Sequence, residues 1–456
     1  MITGVILAAG KGVRMRSKLP KVLHPVAGVP MVQHVIAAAR SAGVDKLVVV
    51  VNTEPQLQTG ILLNPNDALA VQAEQLGTGH ALMMAEAEAK DSELVLVLCG
   101  DTPLIRAETL EELIRFHRDQ KAEATVLTAS LENPTGYGRI IRDQAGAFVR
   151  IVEEKDATAQ EKKVQEINSG MYCFSARVFE ALKHVRPDNA QAEYYLTDAL
   201  LVLQSQGMTV LALEAAREED IYGINNRVQL AQAEKIMRRR MCERLMMEGV
   251  TIIDPGSTFI DAGVSVGADT VIHPFSILAG WTVIGEDCEI GPRAFIRDSR
   301  LGRGVLADSS KIIESTIGDE CLIGPFAYLR PGTELAEKVK IGDFVEVKKS
   351  MVGAGSKIPH LSYVGDATVG RNVNIGAGTI TCNYDGQYKY QTILEDDVFI
   401  GSNTNLVAPV TLGRGAVTGA GSTITRDLPP ESLGVERAEQ RIIVKYRARK
   451  KANHAE

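Results

Sequence analysis

The sequence predicts a Rossmann-like α/β domain, a linker helix and a left-handed parallel β-helix, in that order along 456 residues. Three observations support this prediction. Strand-like and helix-like segments alternate in the first half, a long stretch without Gly or Pro follows, and a six-residue repeat fills most of the second half. The expected boundaries are 1–226 for the α/β domain, 227–249 for the linker helix, 250–436 for the β-helix and 437–456 for a C-terminal tail.

The α/β domain is predicted from short apolar runs that alternate with amphipathic stretches. Residues 5–8, 47–51 and 94–98 are apolar and bounded by Gly, Asp or Asn, which is typical of buried strands. Residues 31–42 and 79–89 carry apolar side chains at helical spacing. This alternation indicates βαβ units and a mostly parallel sheet that is covered on both faces.

The linker helix is predicted from residues 226–248, which contain neither Gly nor Pro and are followed by Gly249. Three consecutive arginines within it, 238–240, are interpreted as a solvated helix face. A long exposed helix of this kind suits a connection between domains. The basic tail that begins at Arg437 is expected to be disordered at its very end.

The β-helix is predicted from an aliphatic residue, followed by a small one, that recurs every six residues after residue 250. Examples are Ile290-Gly291, Ile323-Gly324 and Ile375-Gly376. Such a repeat indicates a triangular coil, in which aliphatic side chains fill the interior and small residues let the backbone turn each corner. The repeat is interrupted at 382–391, which predicts a loop leaving the column, where function often lies.

The bulk composition excludes several classes of protein. The 57 acidic and 50 basic residues give a formal charge of −7, which does not favour a nucleic-acid or membrane-surface partner. The six cysteines are scattered without a C-x-x-C pair, so reduced thiols in a reducing compartment are expected. No segment approaches the roughly 20 apolar residues that span a bilayer. A cytoplasmic protein with no nucleic-acid or membrane partner is therefore predicted.

A Gly-rich loop, residues 7–15, follows the first predicted strand. Backbone amides in such a loop can close around phosphate groups, and Lys11 and Arg14 add positive charge. The loop fits neither G-x-G-x-x-G nor the Walker pattern, so by itself it is equally compatible with a simple turn.

Further motifs indicate which kind of protein this loop belongs to. Together with Leu19-Pro-Lys-Val-Leu, it resembles the sugar-1-phosphate nucleotidyltransferase signature. The other motifs that carry the resemblance are Gln72-Ala-Glu-Gln-Leu-Gly-Thr-Gly-His-Ala, Gly100-Asp-Thr-Pro-Leu, Gly136-Tyr-Gly-Arg-Ile, Val152-Glu-Glu-Lys-Asp, Glu166-Ile-Asn-Ser-Gly and Gly223-Ile-Asn-Asn-Arg. With the hexapeptide half, the chain resembles the bacterial family of bifunctional N-acetylglucosamine-1-phosphate uridyltransferase/glucosamine-1-phosphate acetyltransferases over essentially its whole length.

For the first domain, the resemblance implies a site that binds UTP and UDP-N-acetylglucosamine. Asp101 and Asn225 would hold Mg²⁺ through oxygen donors, and Arg14 and Lys21 would neutralise the triphosphate. Uracil would be read by Gln72, Gly77 and Thr78, and the sugar would be held by Gly138, Glu153 and Asn168. The full predicted site comprises Leu7, Ala8, Ala9, Gly10, Arg14, Lys21, Gln72, Gly77, Thr78, Gly138, Glu153, Asn168 and Asn225.

Two residues of this site have structural alternatives, and one position departs from the family. Considered singly, Asp101 could cap a turn and Asn225 could be a helix N-cap. Cys99 stands where close relatives usually carry an aromatic residue, which calls into question a packing contact to uracil or ribose but not the metal site.

For the second domain, the resemblance implies an acetyl-CoA-dependent site with His360 as base. An amino sugar is mainly protonated near pH 7, so acyl transfer requires removal of a proton, for which the histidine pKa is suited. A lone histidine is more often structural, but Lys357-Ile-Pro-His-Leu-Ser-Tyr-Val-Gly-Asp resembles the catalytic segment. The implied sugar-phosphate site comprises Arg330, Lys348, Tyr363, Asn374 and Lys389. The implied acetyl-CoA site comprises Ala377, Asn383, Tyr384, Ser402, Ala420 and Arg437, of which Asn383 and Tyr384 also border the sugar.

The predicted function is therefore acetylation of glucosamine 1-phosphate, followed by uridylyl transfer from UTP with Mg²⁺, in a homotrimer that supplies cell-envelope precursors. Singly, Arg330 and Lys348 could be solvated surface charges, and the β-helix could only oligomerise a single-activity nucleotidyltransferase. A non-catalytic assembly subunit is a third possibility. A non-catalytic subunit would be expected to have lost the charged residues of the active site, whereas Arg14, Lys21 and Asp101 are all present.

Overall fold

The computed structural model describes residues 1–447 and 450. It contains two compact units, Met1–Arg240 and a second unit that begins at Met241. Residues 448–449 and 451–456, on which the expected disorder of the tail falls, lie outside the described residues. No helix in the described part of the chain combines the length and the apolar composition that a membrane crossing needs.

The first unit consists of a nine-stranded sheet, a small two-stranded sheet and flanking helices. Its strands are β1 (Ile2–Leu7), β2 (Pro25–Val26), β3 (Val29–Pro30), β4 (Lys46–Val51), β5 (Ala68–Val71), β6 (Leu94–Cys99), β7 (Ala124–Ser130), β8 (Arg139–Arg142), β9 (Phe148–Val152), β10 (Glu166–Phe174) and β11 (Val210–Glu214). Its α-helices are α1 (Met31–Ser41), α2 (Pro55–Thr59), α3 (Thr78–Met83), α4 (Glu86–Ala89), α5 (Ala107–Asp119), α6 (Val178–Leu182) and α7 (Leu196–Ser205). Short 3-10 helices cover Val13–Met15, Lys21–Leu23, Glu161–Lys163 and Glu218–Ile221.

The sheet has the order β11-β7-β10-β6-β1-β4-β5, and β8 and β9 join it as a hairpin beside β10. The predicted parallel βαβ units are confirmed for β6, β1, β4 and β5. In contrast, β10 runs antiparallel to both β6 and β7, which the local alternation did not predict. The single helix predicted at 79–89 is wrong in detail, since α3 and α4 are separate.

Side chains alternate between two apolar layers, one on each face of this sheet. In β1, Ile6 packs into one core cluster and Val5 into the other, and both are fully buried. Leu7 at the end of β1 pairs with Cys99 at the end of β6. The loops that follow these two strands therefore open at the same edge of the sheet, where ligands of open α/β sheets bind.

A long helix, α8 (Arg227–Met247), begins within the first unit and ends in the second. Residues 251–434 form a left-handed parallel β-helix of three sheets. The first sheet contains Thr251–Ile252, Val271–Ile272, Glu289–Ile290, Leu306–Ala307, Leu322–Ile323, Lys340–Asp343, Lys357–His360, Asn374–Ile375, Phe399–Ile400, Val417–Thr418 and Leu433–Gly434. The second contains Phe259–Ile260, Ile277–Ala279, Phe295–Arg297, Lys311–Ile313, Tyr328–Leu329, Glu346–Lys348, Tyr363–Gly365, Ile380–Cys382, Asn405–Val407 and Thr423–Ile424. The third contains Ser265–Val266, Val283–Ile284, Arg300–Leu301, Thr316–Ile317, Glu334–Leu335, Met351–Val352, Ala367–Val369, Thr392–Leu394 and Val410–Leu412.

Each complete rung of the β-helix contributes one strand to each of the three sheets. Val271 pairs with Glu289, 18 residues later, which is three hexapeptides. The aliphatic residue of each hexapeptide points inward, so Ile272, Ile290 and Ile323 form part of a continuous buried column. Such a column stabilises the stack because no single rung can bury its apolar face alone.

The interruption of the repeat forms a loop between two strands. Residues 383–391 separate the strands Ile380–Cys382 and Thr392–Leu394, and a bridge between Tyr384 and Lys389 closes the loop. On the first sheet, Asn374 consequently pairs with Phe399, 25 residues later.

Candidate active sites

A cavity of about 380 Å³ lies at the edge of the sheet where β1 and β6 end. Nine of the residues predicted for nucleotide or metal binding line it: Leu7, Ala8, Ala9, Gly10, Lys21, Gln72, Gly77, Thr78 and Asp101. Lys11, Val22, Gln75, Ala81, Cys99 and Glu193 complete the lining. Gln75 and Glu193 were not predicted to bind a ligand: Gln75 lies within the motif that begins at Gln72, whereas Glu193 stands in no motif.

Two cationic side chains bring Asp101 and Asn225 together at one end of this cavity. Lys21 Nζ donates to Asp101 Oδ2 and, at 3.2 Å, to Asn225 Oδ1. Arg14 Nη2 donates to the same Asn225 oxygen at 2.8 Å. A carboxylate and an amide oxygen that converge in this way are donors suited to a hard divalent cation that keeps several water ligands. Among the described residues, no group of three or more His, Cys, Asp or Glu side chains forms a separate metal site.

The helix-cap alternative for Asn225 does not account for its side chain. Asn226, not Asn225, accepts a hydrogen bond from the backbone N–H of Gln229 at 2.9 Å through its own Oδ1. Gln229 in turn accepts from the Asn225 backbone N–H at 2.7 Å. The Asn226 side chain therefore caps α8, and the side chain of Asn225 faces Arg14 and Lys21.

Gly12, which the sequence did not single out, sets the position of Lys21. Its backbone is left-handed, with φ 58° and ψ 29°. A Cβ at Gly12 would lie 2.5 Å from Lys21 Cβ, closer than any real contact. The loop after β1 can therefore pack against Lys21 only if residue 12 is glycine.

The predicted base-reading residues form a second, hydrogen-bonded group. Buried Gln72 donates from Nε2 to the Gly77 carbonyl at 3.1 Å, and the same nitrogen lies 3.0 Å from His80 Nδ1. Gly77 has φ 109°, and a Cβ there would be 2.6 Å from the carbonyl oxygen of Tyr194. The Thr78 hydroxyl accepts the backbone N–H of Leu196 at 3.1 Å. These contacts hold the side-chain amide of Gln72 in one orientation.

The predicted sugar-binding residues lie together beside the β8–β9 hairpin. The Gly138 carbonyl accepts the Asn168 N–H at 2.9 Å. A Cβ at Gly138 would lie 3.3 Å from Glu153 Oε2, so the carboxylate approaches the backbone closely. Burial raises the pKa of Glu153, and the nearby charges of Asp156, Asp198 and Glu193 raise it further.

Cys99 connects the cavity to this sugar-binding group. Its Sγ lines the cavity and donates to the Gly170 carbonyl at 3.3 Å, while the Gly170 N–H donates to Asn168 Oδ1 at 2.9 Å. Burial, reinforced by the charge of Asp101, raises the pKa of Cys99 to about 12, so the thiol stays protonated. A small apolar surface therefore stands where the family was expected to place an aromatic ring.

A buried ion pair supports the sugar-binding group, and the sequence did not reveal it. Arg139 is 1% exposed, and its guanidinium lies 2.7 Å from Glu154 Oε2. Glu154 also accepts the backbone N–H of Gly136 at 3.2 Å. The pair thus ties the turn before β8 to the end of β9, directly beside Gly138 and Glu153.

In the β-helix, His360 ends a strand of the first sheet, and its side chain is 56% exposed. It therefore lies outside the prism, where a substrate can reach it. Its Nδ1 is 2.6 Å from Oδ1 of Asp343, the residue paired with it in the preceding rung. Hydrogen bonding to His360 lowers the pKa of Asp343, so the carboxylate is ionised and accepts the Nδ1 proton. Asp343 was not predicted, although it stands one rung before His360.

The predicted phosphate-binding lysines meet at another corner of the prism, where the second sheet ends. Lys348 Nζ donates to Asp366 Oδ2 at 3.0 Å, and the Asn383 amide donates to the same oxygen. Burial opposes the charge of Lys348, but its hydrogen bond to the Asp366 carboxylate raises its pKa. The contact with Lys348 lowers the pKa of Lys389. Two adjacent ammonium groups of this kind provide an anion-binding surface.

The other predicted sugar-phosphate residues are distributed over two sheets. Arg330 pairs with Glu346 at 2.7 Å and lies over the Tyr328 ring, so it is not a free surface charge. A Cβ at Gly365 would be 2.3 Å from the Tyr363 hydroxyl. Because Gly365 pairs with Lys348, the Tyr363 side chain extends towards the lysine corner. Asn374 lies on the first sheet, away from that corner.

The predicted acetyl-CoA residues form a ladder along the corner that carries His360. The Ala377 carbonyl accepts the Asn403 N–H at 2.7 Å, and the Ser402 carbonyl accepts the Gly421 N–H at 2.8 Å. These contacts stack Ala377, Ser402 and Ala420 in successive rungs. Arg437 lies beside the last of them, with its guanidinium 3.6 Å from the Cβ position of Gly419. Tyr384 instead lies on the loop at 383–391 and is 59% exposed.

Comparison with known proteins identifies both halves of the chain. A model of the MobA-like NTP transferase domain matches residues 4–198, and a model of the bacterial transferase hexapeptide (six repeats) matches residues 263–298 and 391–426. The chain is 58% identical to the bifunctional protein GlmU of Syntrophomonas wolfei over 441 residues, which are 96% of this chain and 98% of that protein. It is 55% identical to the bifunctional protein GlmU of Heliobacterium modesticaldum, with 98% of each chain covered.

Proposed function

Since the chain belongs to the family of bifunctional GlmU proteins, we propose that it acetylates glucosamine 1-phosphate with acetyl-CoA and then transfers a uridylyl group from UTP to the product. The products are UDP-N-acetylglucosamine and pyrophosphate, which supply the cell envelope. The observation that carries the proposal is the presence, in one chain, of a Lys21–Asp101–Asn225 cluster beside a nucleotide-sized cavity that Lys21 and Asp101 line, and of an exposed His360–Asp343 pair on a hexapeptide β-helix.

In uridylyl transfer, an oxygen of the sugar phosphate attacks the α-phosphorus of UTP, and pyrophosphate leaves. Little covalent help is needed, so the protein contributes mainly position and positive charge. Lys21 and Arg14 neutralise charge on the triphosphate, and Gln72 holds the base. Gly138, Glu153 and Asn168 hold the acceptor sugar beside Cys99.

The family and its nucleotidyltransferase domain imply a divalent metal, and we propose Mg²⁺. The oxygens of Asp101 and Asn225 fit this ion, because it prefers oxygen donors and retains several waters. When bound, it would neutralise charge on the phosphate oxygens. Lys21, which contacts both oxygens, would then be free to turn to the phosphates.

In acetyl transfer, His360 accepts a proton from the sugar nitrogen, which attacks the thioester carbonyl as the thiolate of coenzyme A leaves. The phosphate of the sugar is held by Lys348 and Lys389, whose mutual repulsion it relieves. Acetyl-CoA lies along the ladder of Ala377, Ser402 and Ala420, on the same corner as His360. Rungs follow one another at about 4.8 Å, so the ladder suits an extended ligand.

We further propose that the β-helix assembles as a homotrimer in the cytoplasm. Phe326, Phe344 and Leu361 follow one another at the His360 corner, are each more than half exposed, and all have a positive φ. Exposed apolar side chains in this costly conformation favour an interface between copies. The lysine corner and the His360 corner are separate in one chain, and an assembly would let one copy complete the site of another. The six cysteines all lie in the described part of the chain and form no disulfide there, which suits a reducing compartment.

Product analysis by mass spectrometry tests the proposal. The protein is incubated with glucosamine 1-phosphate, acetyl-CoA, UTP and Mg²⁺, with each component omitted in turn. We expect His360→Ala to abolish release of coenzyme A while uridylyl transfer to N-acetylglucosamine 1-phosphate stays near the wild-type rate, and Asp101→Ala to do the reverse. Absence of coenzyme A release from folded wild-type protein would leave only the nucleotidyltransferase, and parallel loss of both activities in either variant would contradict two separate sites.

A further inference from the structure

The carboxylate beside His360 comes from the preceding rung of the β-helix. Asp343 and His360 are paired positions of the first sheet, so both side chains leave the same corner of the prism one rung apart. Their Oδ1 and Nδ1 atoms are 2.6 Å apart, the distance of a charge-assisted hydrogen bond. The Leu361 N–H also donates to the Asp343 carbonyl at 2.9 Å. Backbone pairing therefore determines the position of the carboxylate relative to the ring.

We propose that Asp343 is a positioning residue for acetyl transfer, which holds His360 in the tautomer that carries its proton on Nδ1 and leaves Nε2 to accept the proton of the sugar nitrogen. This inference rests on the proposed acetyltransferase function. An ionised carboxylate only accepts hydrogen bonds, so the Nδ1 atom that faces it must be the donor. With Nδ1 protonated, the lone pair of the neutral ring is on Nε2, on the side of the ring opposite Asp343.

The neighbouring strands of the first sheet do not supply another charged group that could orient His360. In the first sheet, the strands on either side of the pair are Leu322–Ile323 and Asn374–Ile375, and neither contains a charged residue. The ionised state of Asp343 is favoured first by the hydrogen bond from His360 and then by its own backbone N–H. Among the described residues, the side chain that hydrogen-bonds to the Asp343 carboxylate is His360, the proposed base.

The β-helix also provides a matched control. His273 and Glu289 form another exposed histidine–carboxylate pair, with Nε2 and Oε1 3.0 Å apart. This pair lies several rungs before His360 and has no role in the proposed site. Glu289→Gln removes a comparable surface interaction without touching the corner of His360.

Steady-state release of coenzyme A and nitrogen-15 NMR of histidine-labelled protein test the inference. We expect Asp343→Asn and Asp343→Ala to lower kcat for acetyl transfer on the order of 10- to 100-fold, part of the 10²–10⁴-fold that a general base contributes, with KM for acetyl-CoA unchanged. Asp343→Glu should restore much of the rate, and uridylyl transfer should be unaffected in all three variants. In wild-type protein the His360 ring should show a protonated Nδ1, and Asp343→Asn should give a mixture of tautomers.

Each result separates this inference from the proposed function. Inactive wild-type protein would overturn the acetyltransferase function itself. Active wild-type protein with full activity in Asp343→Asn, or with the same His360 tautomer in both, would overturn the role of Asp343 alone. An equal loss of kcat in Glu289→Gln would assign the effect to general weakening of the β-helix and would likewise overturn it.

Discussion

Replacement of Gly12 by alanine tests whether the loop after β1 positions Lys21 for uridylyl transfer. Gly12 has φ 58°, and a Cβ there would stand 2.5 Å from Lys21 Cβ, whereas ordinary contacts begin at 3.4 Å. The two carbons must therefore separate by roughly 1 Å. Lys21 carries the ammonium group that contacts both Asp101 and Asn225, so the displacement reaches the centre of the site.

The expected effects on stability and on activity differ in size. A left-handed conformation costs an L-residue about 1–2 kcal/mol, which Gly12→Ala should lose in the free energy of unfolding. A misplacement of about 1 Å at a reacting centre can lower a rate on the order of 100-fold, equivalent to about 2.7 kcal/mol of transition-state stabilisation. We therefore expect kcat/KM for uridylyl transfer to fall by about two orders of magnitude, while acetyl transfer in the same protein is unchanged.

Gly207→Ala is the matched control. Gly207 also has a positive φ, 76°, but a Cβ there would meet no atom within 4 Å. The assay measures pyrophosphate release with UTP and N-acetylglucosamine 1-phosphate, and urea unfolding reports the stability of each variant. Both variants should lose the cost of the left-handed conformation, and only Gly12→Ala should lose uridylyl transfer. Wild-type activity in Gly12→Ala, or an equal loss of activity in Gly207→Ala, would refute the reasoning.

Two further predictions concern the stability of the first unit. Glu154→Gln removes the charge that faces buried Arg139 and should cost about 1–3 kcal/mol in urea unfolding, less than a fully buried pair because Glu154 is 30% exposed; an unchanged midpoint would contradict this. Burial lowers the pKa of His117 to about 4, so between pH 6.5 and 4 the unfolded chain binds a proton that the folded chain excludes. Stability should therefore fall as the pH falls through this window, by at most about 1.4 kcal/mol per pH unit from this group, and His117→Gln should show a correspondingly shallower pH dependence.

Part of the candidate site could be predicted from the sequence, because its motifs consist of residues that are close together in the chain. The segment 7–15 and Gly100-Asp101 each follow a strand, and parallel strands that end at one edge bring such loops together. From the sequence alone, Asn225 could be either a helix cap or a metal ligand. The structure assigns the cap to Asn226, a distinction that depends on the orientation of two adjacent side chains.

Other contacts at the candidate site were beyond prediction because they join segments that are distant in the chain. Glu193, for example, lines the cavity from a loop before α7, far along the chain from β1 and β6. Asp343 is different, since its distance from His360 is one rung of the repeat. Counting rungs would have placed the two residues at the same corner.

The sequence by itself determined the two architectures and their order, because alternation of strands with helices and a six-residue repeat are both short-range patterns of burial. Only the tertiary structure decided three features. These are the antiparallel direction of β10 relative to its neighbours, the need for glycine at position 12 to leave room for Lys21, and the carboxylate that faces His360. These features depend on which distant backbones lie within a few ångströms of each other. Burial patterns specify which face of an element is covered, whereas the identity of the covering residue follows from the packing of the whole unit.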